Sequence, residues 1–320
     1  MILRTWIFGD DDKFIPCFLE GMSIAHNEPK RTEEWFHWKF EQSPYGKAIL
    51  ACAFDEERVA GCVAYGRGIV RYHGKDWNCA LSYETFVHPD YQGKGLFKKL
   101  ISLAETEMKK AGIQFLYNFP NSNSITGFKH MNWICRNDIK SFKIKPLRLL
   151  RTIFHVSDLR HSFRWNPSNI EQIKGTLLDD IVIGQTNPDI LTPVWTKEYL
   201  KWRFFSFPNR EYFVINNQYF FSISMVGMRG KLKIVRHLYS VSKDEKPLSW
   251  IMKDIICAVR KETNADVFEY SSTIFDDTLN RCNFFFKLPT SSNFCYKIID
   301  ESMNIPDFEI TLPSINAHTY

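Results

Sequence analysis

A chain of 320 residues with 44% hydrophobic and 24% charged content fits two ordinary globular domains better than one. Its formal net charge of only +5 gives no bulk electrostatic argument for a nucleic-acid partner. No apolar run is long enough to span a membrane, the N-terminus lacks a signal peptide's apolar core, and the eight cysteines show no Cys-x-x-Cys and no zinc spacing, so a reduced, cytoplasmic, metal-free protein is the expectation.

Residues 2–8 read as a strand. Asp10, Asp11 and Asp12 then offer N-cap chemistry for a helix carrying Phe14, Ile15, Phe18, Leu19 and Met22, with Pro16 in its first turn. A second helix spans 32–40 and ends at Ser43-Pro-Tyr-Gly46. Its Trp35, Phe36 and Trp38 form either an aromatic core face or the lining of an acceptor pocket. Residues 48–54 and 59–65 read as paired strands around the acidic turn 55–57, and a second turn falls at His73-Gly-Lys-Asp76.

The stretch 83–100 organises the first half. A short β-type run, Ser82 to Val87, turns at His88-Pro-Asp90 and passes through Gln92-Gly-Lys-Gly95 into a helix-period segment, Leu96 to Gly112. Strand, glycine-bearing turn and helix N-terminus in that order make an anion site, because the first backbone N–H groups have no helical partner. Lys94, Lys98 and Lys99 add positive charge. A P-loop would need Ser or Thr after a Gly-Lys pair, and a dinucleotide fingerprint would need a third glycine at Lys98.

The run Val87-His-Pro-x-x-Gln-Gly-Lys-Gly95 resembles the coenzyme A loop of the GNAT superfamily of acyl-coenzyme A N-acyltransferases, Gln/Arg-x-x-Gly-x-Gly/Ala. Gln92 and Gly95 match, while Phe97 stands where the family usually has Gly or Ala. Downstream, strand 115–119 leads to Asn121-x-x-Ser124-x-x-x-Phe128, which is similar to the family's second motif, with Phe128 in place of the usual Tyr. The resemblance implies a mixed α/β fold (an α+β, mostly antiparallel twisted sheet flanked by helices) that uses acetyl-coenzyme A as co-substrate. It implies coenzyme contacts at Phe86, Val87, Gln92, Gly93, Lys94, Gly95, Leu96, Phe97 and Lys98, and at Asn121, Asn123 and Ser124. A backbone N–H near Phe86 and Val87 would polarise the thioester carbonyl. Glu84 leads the candidates for the base that takes the amine's proton, with His88 and Tyr83 next, and Glu84 serves equally well as one half of a structural ion pair. Tyr117 or solvent would protonate the leaving thiolate.

The second half repeats the first imperfectly. Glu33-Glu-Trp-Phe-His-Trp-Lys-Phe40-x-x-x-Pro44 aligns with Lys197-Glu-Tyr-Leu-Lys-Trp-Arg-Phe204-x-x-x-Pro208, so that Trp38 corresponds to Trp202. Phe128 to Trp133 aligns with Leu279 to Phe284. Strands at 212–215, 219–228, 231–241 and 267–270 and a helix at 248–263 complete the copy, with Asp244 and Glu245 where an anion would have to bind. The expectation is two tandem GNAT-like domains: 1–145 with the coenzyme loop, a basic linker at 146–174, and a degenerate domain at 175–320 that completes the acceptor cleft or buries an interface.

The basic stretch 140–164 reads as a solvated connector or as an electropositive rim for a phosphate-bearing substrate. The acceptor is expected to be the primary amine of a small molecule, with a nucleotide-linked amino sugar as one candidate. A coenzyme-binding scaffold without turnover and an aminoacyl-tRNA-dependent transferase are the alternatives. Oligomeric state is left open by the sequence.

Overall fold

Because β2 (Ile49–Asp55) is covered on both faces, its neighbours can be placed from its side chains alone. Cys52 and Phe54 point into a core with α1 (Ile15–His26) and α2 (Glu33–Phe40), and Ala51 and Ala53 point into a second core with α3 (Leu96–Lys110). The computed structural model describes residues 1–120, 124–136, 140–161, 163–165, 189, 191–206, 212–243, 248–273, 286–287 and 293–305. Around β2, β1 (Ile2–Thr5) and β3 (Arg58–Tyr72) pair antiparallel, and β4 (Lys75–Val87) pairs antiparallel with β3. β5 (Phe115–Asn118) then lies parallel to β4. On α3, Leu96, Leu100, Ile101, Ala104 and Met108 form the buried stripe that a 3.6-residue period requires, and its lysines face outward.

The start of α1 departs from the expectation. A single 3-10 turn, Asp12–Phe14, precedes it, and Phe14 at the N-cap position makes no side-chain capping bond. Asp11 is buried instead, accepting from the Arg4 guanidinium at 2.7 Å and from the Ile7 N–H at 2.7 Å. A charge-assisted Arg–carboxylate pair outcompetes a cap for the same side chain. Thr32 does cap α2, accepting from the Trp35 N–H at 3.1 Å. Trp35, Phe36 and Trp38 are all core residues, which decides against their lining a pocket.

After α4 (Ile125–His130) and β6 (Ile134–Arg136), the chain leaves the first sheet. β7 (Lys140–Pro146) belongs to a second sheet, followed by α5 (Leu149–Phe154), β8 (Arg164–Trp165) and β9 (Thr192–Pro193), the last an addition to the edge of β3. The elements read from the sequence for the second half then follow in order. α6 (Lys197–Leu200) runs on as a π-turn to Phe205, ahead of β10 (Phe213–Asn216), β11 (Phe220–Arg229), β12 (Leu232–Ser242), α7 (Leu248–Thr263) and β13 (Val267–Thr273). β12 and β13 are parallel, as β4 and β5 are. Residues 244–247 and 279–284, which carry the absent loop and the last repeat match, lie outside the described residues.

The two halves trade strands. β14 (Phe286–Lys287) closes the second sheet, in the order β10-β11-β12-β13-β7-β14, so a strand from before the repeat sits between two strands of the second copy. Reciprocally, β15 (Phe294–Ile298) from the end of the second copy sits between β5 and β6 of the first. Cys295 of β15 faces Cys135 of β6 and is joined to it by a disulfide, which corrects the expectation that all eight cysteines are reduced; no spacing motif announced the pairing. The exchange crosses the boundary expected at residue 145, and the expected linker carries α5 and β8. Arg148 and Arg151 within it ion-pair with the buried Asp266 at 3.8 and 3.0 Å, so these two cations brace the fold rather than form a free rim.

A second tie joins the repeats at corresponding positions. The Trp38 indole N–H donates to the Trp202 carbonyl at 2.9 Å, and the Trp202 N–H donates to the Trp38 carbonyl at 2.9 Å. The rings stack with centroids 5.2 Å apart. Such reciprocity is what a pseudo-two-fold axis between aligned residues produces.

Two outcomes follow from this architecture. Ending the chain before Phe294 should raise amide exchange of β5, which belongs to the other half, by at least about tenfold; unchanged protection at Leu116 and Tyr117 would show that β15 contributes nothing there. His237 is buried with its Nε2 unpartnered, and burial pushes its pKa down to about 3. The unfolded chain therefore binds a proton below about pH 6.5 that the folded chain takes up only near pH 3, so stability falls as pH drops through that window, by about 1.4 kcal/mol per unit. Chemical denaturation between pH 7 and 4 should show that slope in wild type, and His237→Leu should flatten it.

Candidate active site

Parallel pairing between β4 and β5 is limited to Cys79–Phe115, Ala80–Leu116 and Leu81–Tyr117. Beyond these, β4 runs on to Val87 with no registered partner on its β5 side, so the two strands part at Leu81 and Tyr117. On the β3 side the register shifts between Cys62 and Ala64, and Glu84 sits there with φ +50°. A left-handed non-glycine residue at a β-bulge is strained backbone that its surroundings must hold.

Lys39 of α2 does much of that holding. Its Nζ lies 3.6 Å from Glu84 Oε1 with both side chains largely buried, and 4.4 Å from the centre of the Tyr83 ring. Tyr83 OH donates to the Lys39 carbonyl at 3.3 Å. Burial, reinforced by the nearby Glu84 charge, pushes the Tyr83 phenol well up, and burial does the same for Tyr117. Both phenols therefore stay protonated at neutral pH. His88 is occupied at the end of the strand, where its Nδ1 accepts from the Asp90 N–H at 3.3 Å.

Past His88, a 3-10 turn at Pro89–Tyr91 leads into the glycine loop. Gln92 Nε2 donates to the Val87 carbonyl at 3.0 Å and pins the loop to the strand end. Gly93 and Gly95 have φ +74° and +68°, and a Cβ on either would meet nothing within 4 Å. Conformation, not crowding, demands glycine here, and the space beside the backbone is open to a ligand. Gly95 is the N-cap of α3 with no side chain capping it. Lys94 reaches back to the Asp90 carbonyl at 3.0 Å, Lys98 is exposed beside the loop, and Leu96 is buried beneath it.

Phe97 packs edge-on against Phe128, centroids 5.6 Å apart, and Phe128 in turn meets Trp133 at 4.8 Å. Phe128 is 1% exposed, so the position that resembles the family's tyrosine is core. A Cβ at Gly127 would come within 2.4 Å of the Phe97 ring, so the bulky residue on α3 is accommodated by the missing side chain on α4. Ser124 stands at the N-cap of α4, and Asn121 and Asn123 lie outside the described residues.

At the parting of β4 and β5 a cleft opens between the two halves, lined by Leu81, Tyr83 and Tyr117 from the first and by Val194, Trp195, Tyr199 and Trp202 from the second. Tyr45 and Arg67 complete its walls. Tyr45 OH donates to the Val194 carbonyl, and its ring lies 5.3 Å from that of Tyr199. Glu84 and His88 are not among the lining residues. Sequence reasoning brought Tyr83 and Tyr117 here and missed Tyr45, Arg67, Trp195 and Tyr199. Tyr45 and Tyr199 fall inside or beside the two aligned repeat segments, and that adjacency was the available signal. Among the described residues no group of three His, Cys, Asp or Glu side chains is placed to hold a metal, and no helix is long and apolar enough to cross a membrane.

The Phe97–Gly127 contact sets a test. Gly127→Val should destabilise by about 1–3 kcal/mol through overpacking. Adding Phe97→Ala should recover most of the loss in denaturant melts, and a double variant no better than Gly127→Val would refute the compensation.

Comparison with known proteins agrees with this geometry. The family described as "Acetyltransferase (GNAT) domain" matches residues 14–133. No curated protein matches the chain by sequence. Among solved structures, the GCN5-related N-acetyltransferase from Anabaena variabilis superposes with a TM-score of 0.61 at 11% identity, covering 93% of this chain and 73% of its own. The GCN5-related N-acetyltransferase from Kribbella flavida gives 0.61 at 11%, covering 93% and 71%. Saccharomyces cerevisiae N-myristoyltransferase with bound myristoyl-CoA gives 0.56 at 14%, covering 92% and 77%. At such identities the neighbours establish the fold alone, and the family match is to residues 14–133 of the 320.

Proposed function

We propose that the protein is an N-acetyltransferase that moves an acetyl group from acetyl-coenzyme A onto the primary amine of a small molecule seated in the cleft between the halves. The observation that carries this reading is the opening between β4 and β5. It joins an uncapped helix N-terminus with two open glycines on one side to an aromatic cleft on the other. Diphosphate oxygens would accept from the first N–H groups of α3, near Gln92, Gly93, Lys94 and Gly95. The pantetheine arm would lie between the parted strands, bonding backbone groups near Phe86 and Val87.

Transfer is direct. The amine nitrogen attacks the thioester carbonyl, the C–S bond breaks, and the coenzyme leaves as thiolate. Backbone N–H groups past the bulge stabilise the oxygen that gains charge. Glu84 is proposed to take the amine's proton through a water, since it lies outside the cleft lining and faces Lys39. Tyr117, which lines the cleft, or solvent is proposed to protonate the thiolate, and a thiol is acidic enough to leave without an acid. Tyr83 orders the wall between them. A nucleotide-linked amino sugar remains one acceptor of the proposed kind, and a cytoplasmic location goes with the use of acetyl-coenzyme A.

Thermal unfolding with and without acetyl-coenzyme A tests the reading. At about 100-fold to 1,000-fold excess over Kd a bound ligand stabilises by about 3–4 kcal/mol, a shift of several degrees. Wild type should shift, and Gly95→Glu should not, because a carboxylate and a Cβ would occupy the diphosphate position. Absence of a shift in wild type would remove the coenzyme from the proposal.

A further inference from the structure

The cleft is short of acceptors. Its described lining residues include no Asp and no Glu, yet they include the Arg67 guanidinium. The Arg67 Nε is inaccessible to solvent and has no hydrogen-bond partner. Trp195 from the other half is in the same position, with its buried indole N–H unpartnered. Three other buried cations face carboxylates. Arg229 and Arg236 both donate to Glu269, at 3.0 and 2.7 Å, and Lys39 faces Glu84. A buried donor left without an acceptor costs free energy, and a guanidinium left without a counter-charge costs more. Two such donors among the residues that line one cleft leave room for a group with acceptor oxygens and a negative charge.

We propose that the amine acceptor carries an oxyanion, a carboxylate or a phosphate, and that Arg67 and Trp195 bind it. The inference rests on the reading of this cleft as the acceptor site. Arg67 lies on β3 opposite Ala80 of β4, and the register places Ala80 next to Leu81, where β4 and β5 part. An acceptor anchored by its oxyanion at Arg67 therefore lies against the same strand that leads to the reacting end. Tyr45, Tyr83, Tyr117 and Tyr199 supply flat apolar walls and hydroxyls for the body of the molecule. Neutral amines lacking the anion leave the guanidinium desolvated and unpaired, so discrimination against them is built in.

The experiment uses the full chain and three probes of one shape: benzoate, phenyl phosphate and benzamide, titrated by ligand-observed NMR. Benzoate or phenyl phosphate should bind saturably, whichever is tighter identifying carboxylate or phosphate, and benzamide should bind at least tenfold more weakly. Arg67→Gln should weaken the anion at least tenfold, Arg67→Lys less, and Trp195→Phe by a few-fold. Equal binding of benzoate and benzamide would overturn the proposal, as would anion binding to Arg67→Gln at wild-type strength, or no anion binding to wild type at millimolar concentration. Arg67→Gln should unfold no earlier than wild type, since it removes an unpaired charge, and should keep the wild-type shift with acetyl-coenzyme A. Loss of the anion with that shift retained in wild type counts against the oxyanion alone. Anion binding without any acetyl-coenzyme A shift counts against the transferase reading and leaves the anion site standing.

Discussion

Everything about the site depends on two strands that belong to the wrong halves. β7 lies between β13 and β14 of the second sheet, and β15 lies between β5 and β6 of the first. A strand flanked on both sides cannot be withdrawn without leaving two new edges, each a row of unpaired N–H and carbonyl groups. Neither sheet can therefore close until the other half of the chain has been made. The exchange fixes the relative position of the halves, and the Trp38–Trp202 pair adds a second point of attachment at the repeat elements. A cleft whose walls come from both halves needs such rigidity, because an error of an ångström at one wall misplaces whatever binds.

α2 and its repeat partner have diverged around that shared contact. In the first copy Trp38-Lys39-Phe40 sends Trp38 to the interface and Lys39 to the bulge at Glu84, so one short helix both docks the halves and holds the strained strand. In the second copy Trp202 keeps the interface role, and Arg203 stands where Lys39 would, with its guanidinium 6.0 Å from the centre of the Trp38 ring. The second sheet also carries a register shift between β11 and β12, where His237 is buried neutral against Phe268 and Tyr270 and its neighbour Arg236 donates to the buried Glu269.

Local patterns were legible in the sequence and long-range pairings were not. The loop from Val87 to Gly95, the stripe of α3 and the repeated elements, including α7 at Leu248–Thr263, were readable because each depends on residues within a few turns or on direct comparison of two segments. Trp38 and Trp202, aligned as corresponding positions, turn out to touch across 164 residues of sequence, a contact the alignment itself did not announce. Strand exchange left no trace in periodicity, since a strand inserted in its own sheet and one inserted in its neighbour need the same alternation. Asp11 looked like a cap because three aspartates precede a helix, and only the position of Arg4 across the turn shows why one of them is buried. Arg67 and Trp195 could not have been found, because an unpartnered donor is a property of its surroundings.

The second half of the chain has a use that follows from the first half's geometry. In the first sheet the opening between β4 and β5 is bounded on the strand side by Leu81, Tyr83 and Tyr117, which alone would leave a shallow and wet trough. Val194, Trp195, Tyr199 and Trp202 turn that trough into a walled cleft. Electrostatic recognition by Arg67 gains strength from those walls, since a guanidinium in solvent discriminates weakly between charged and neutral partners.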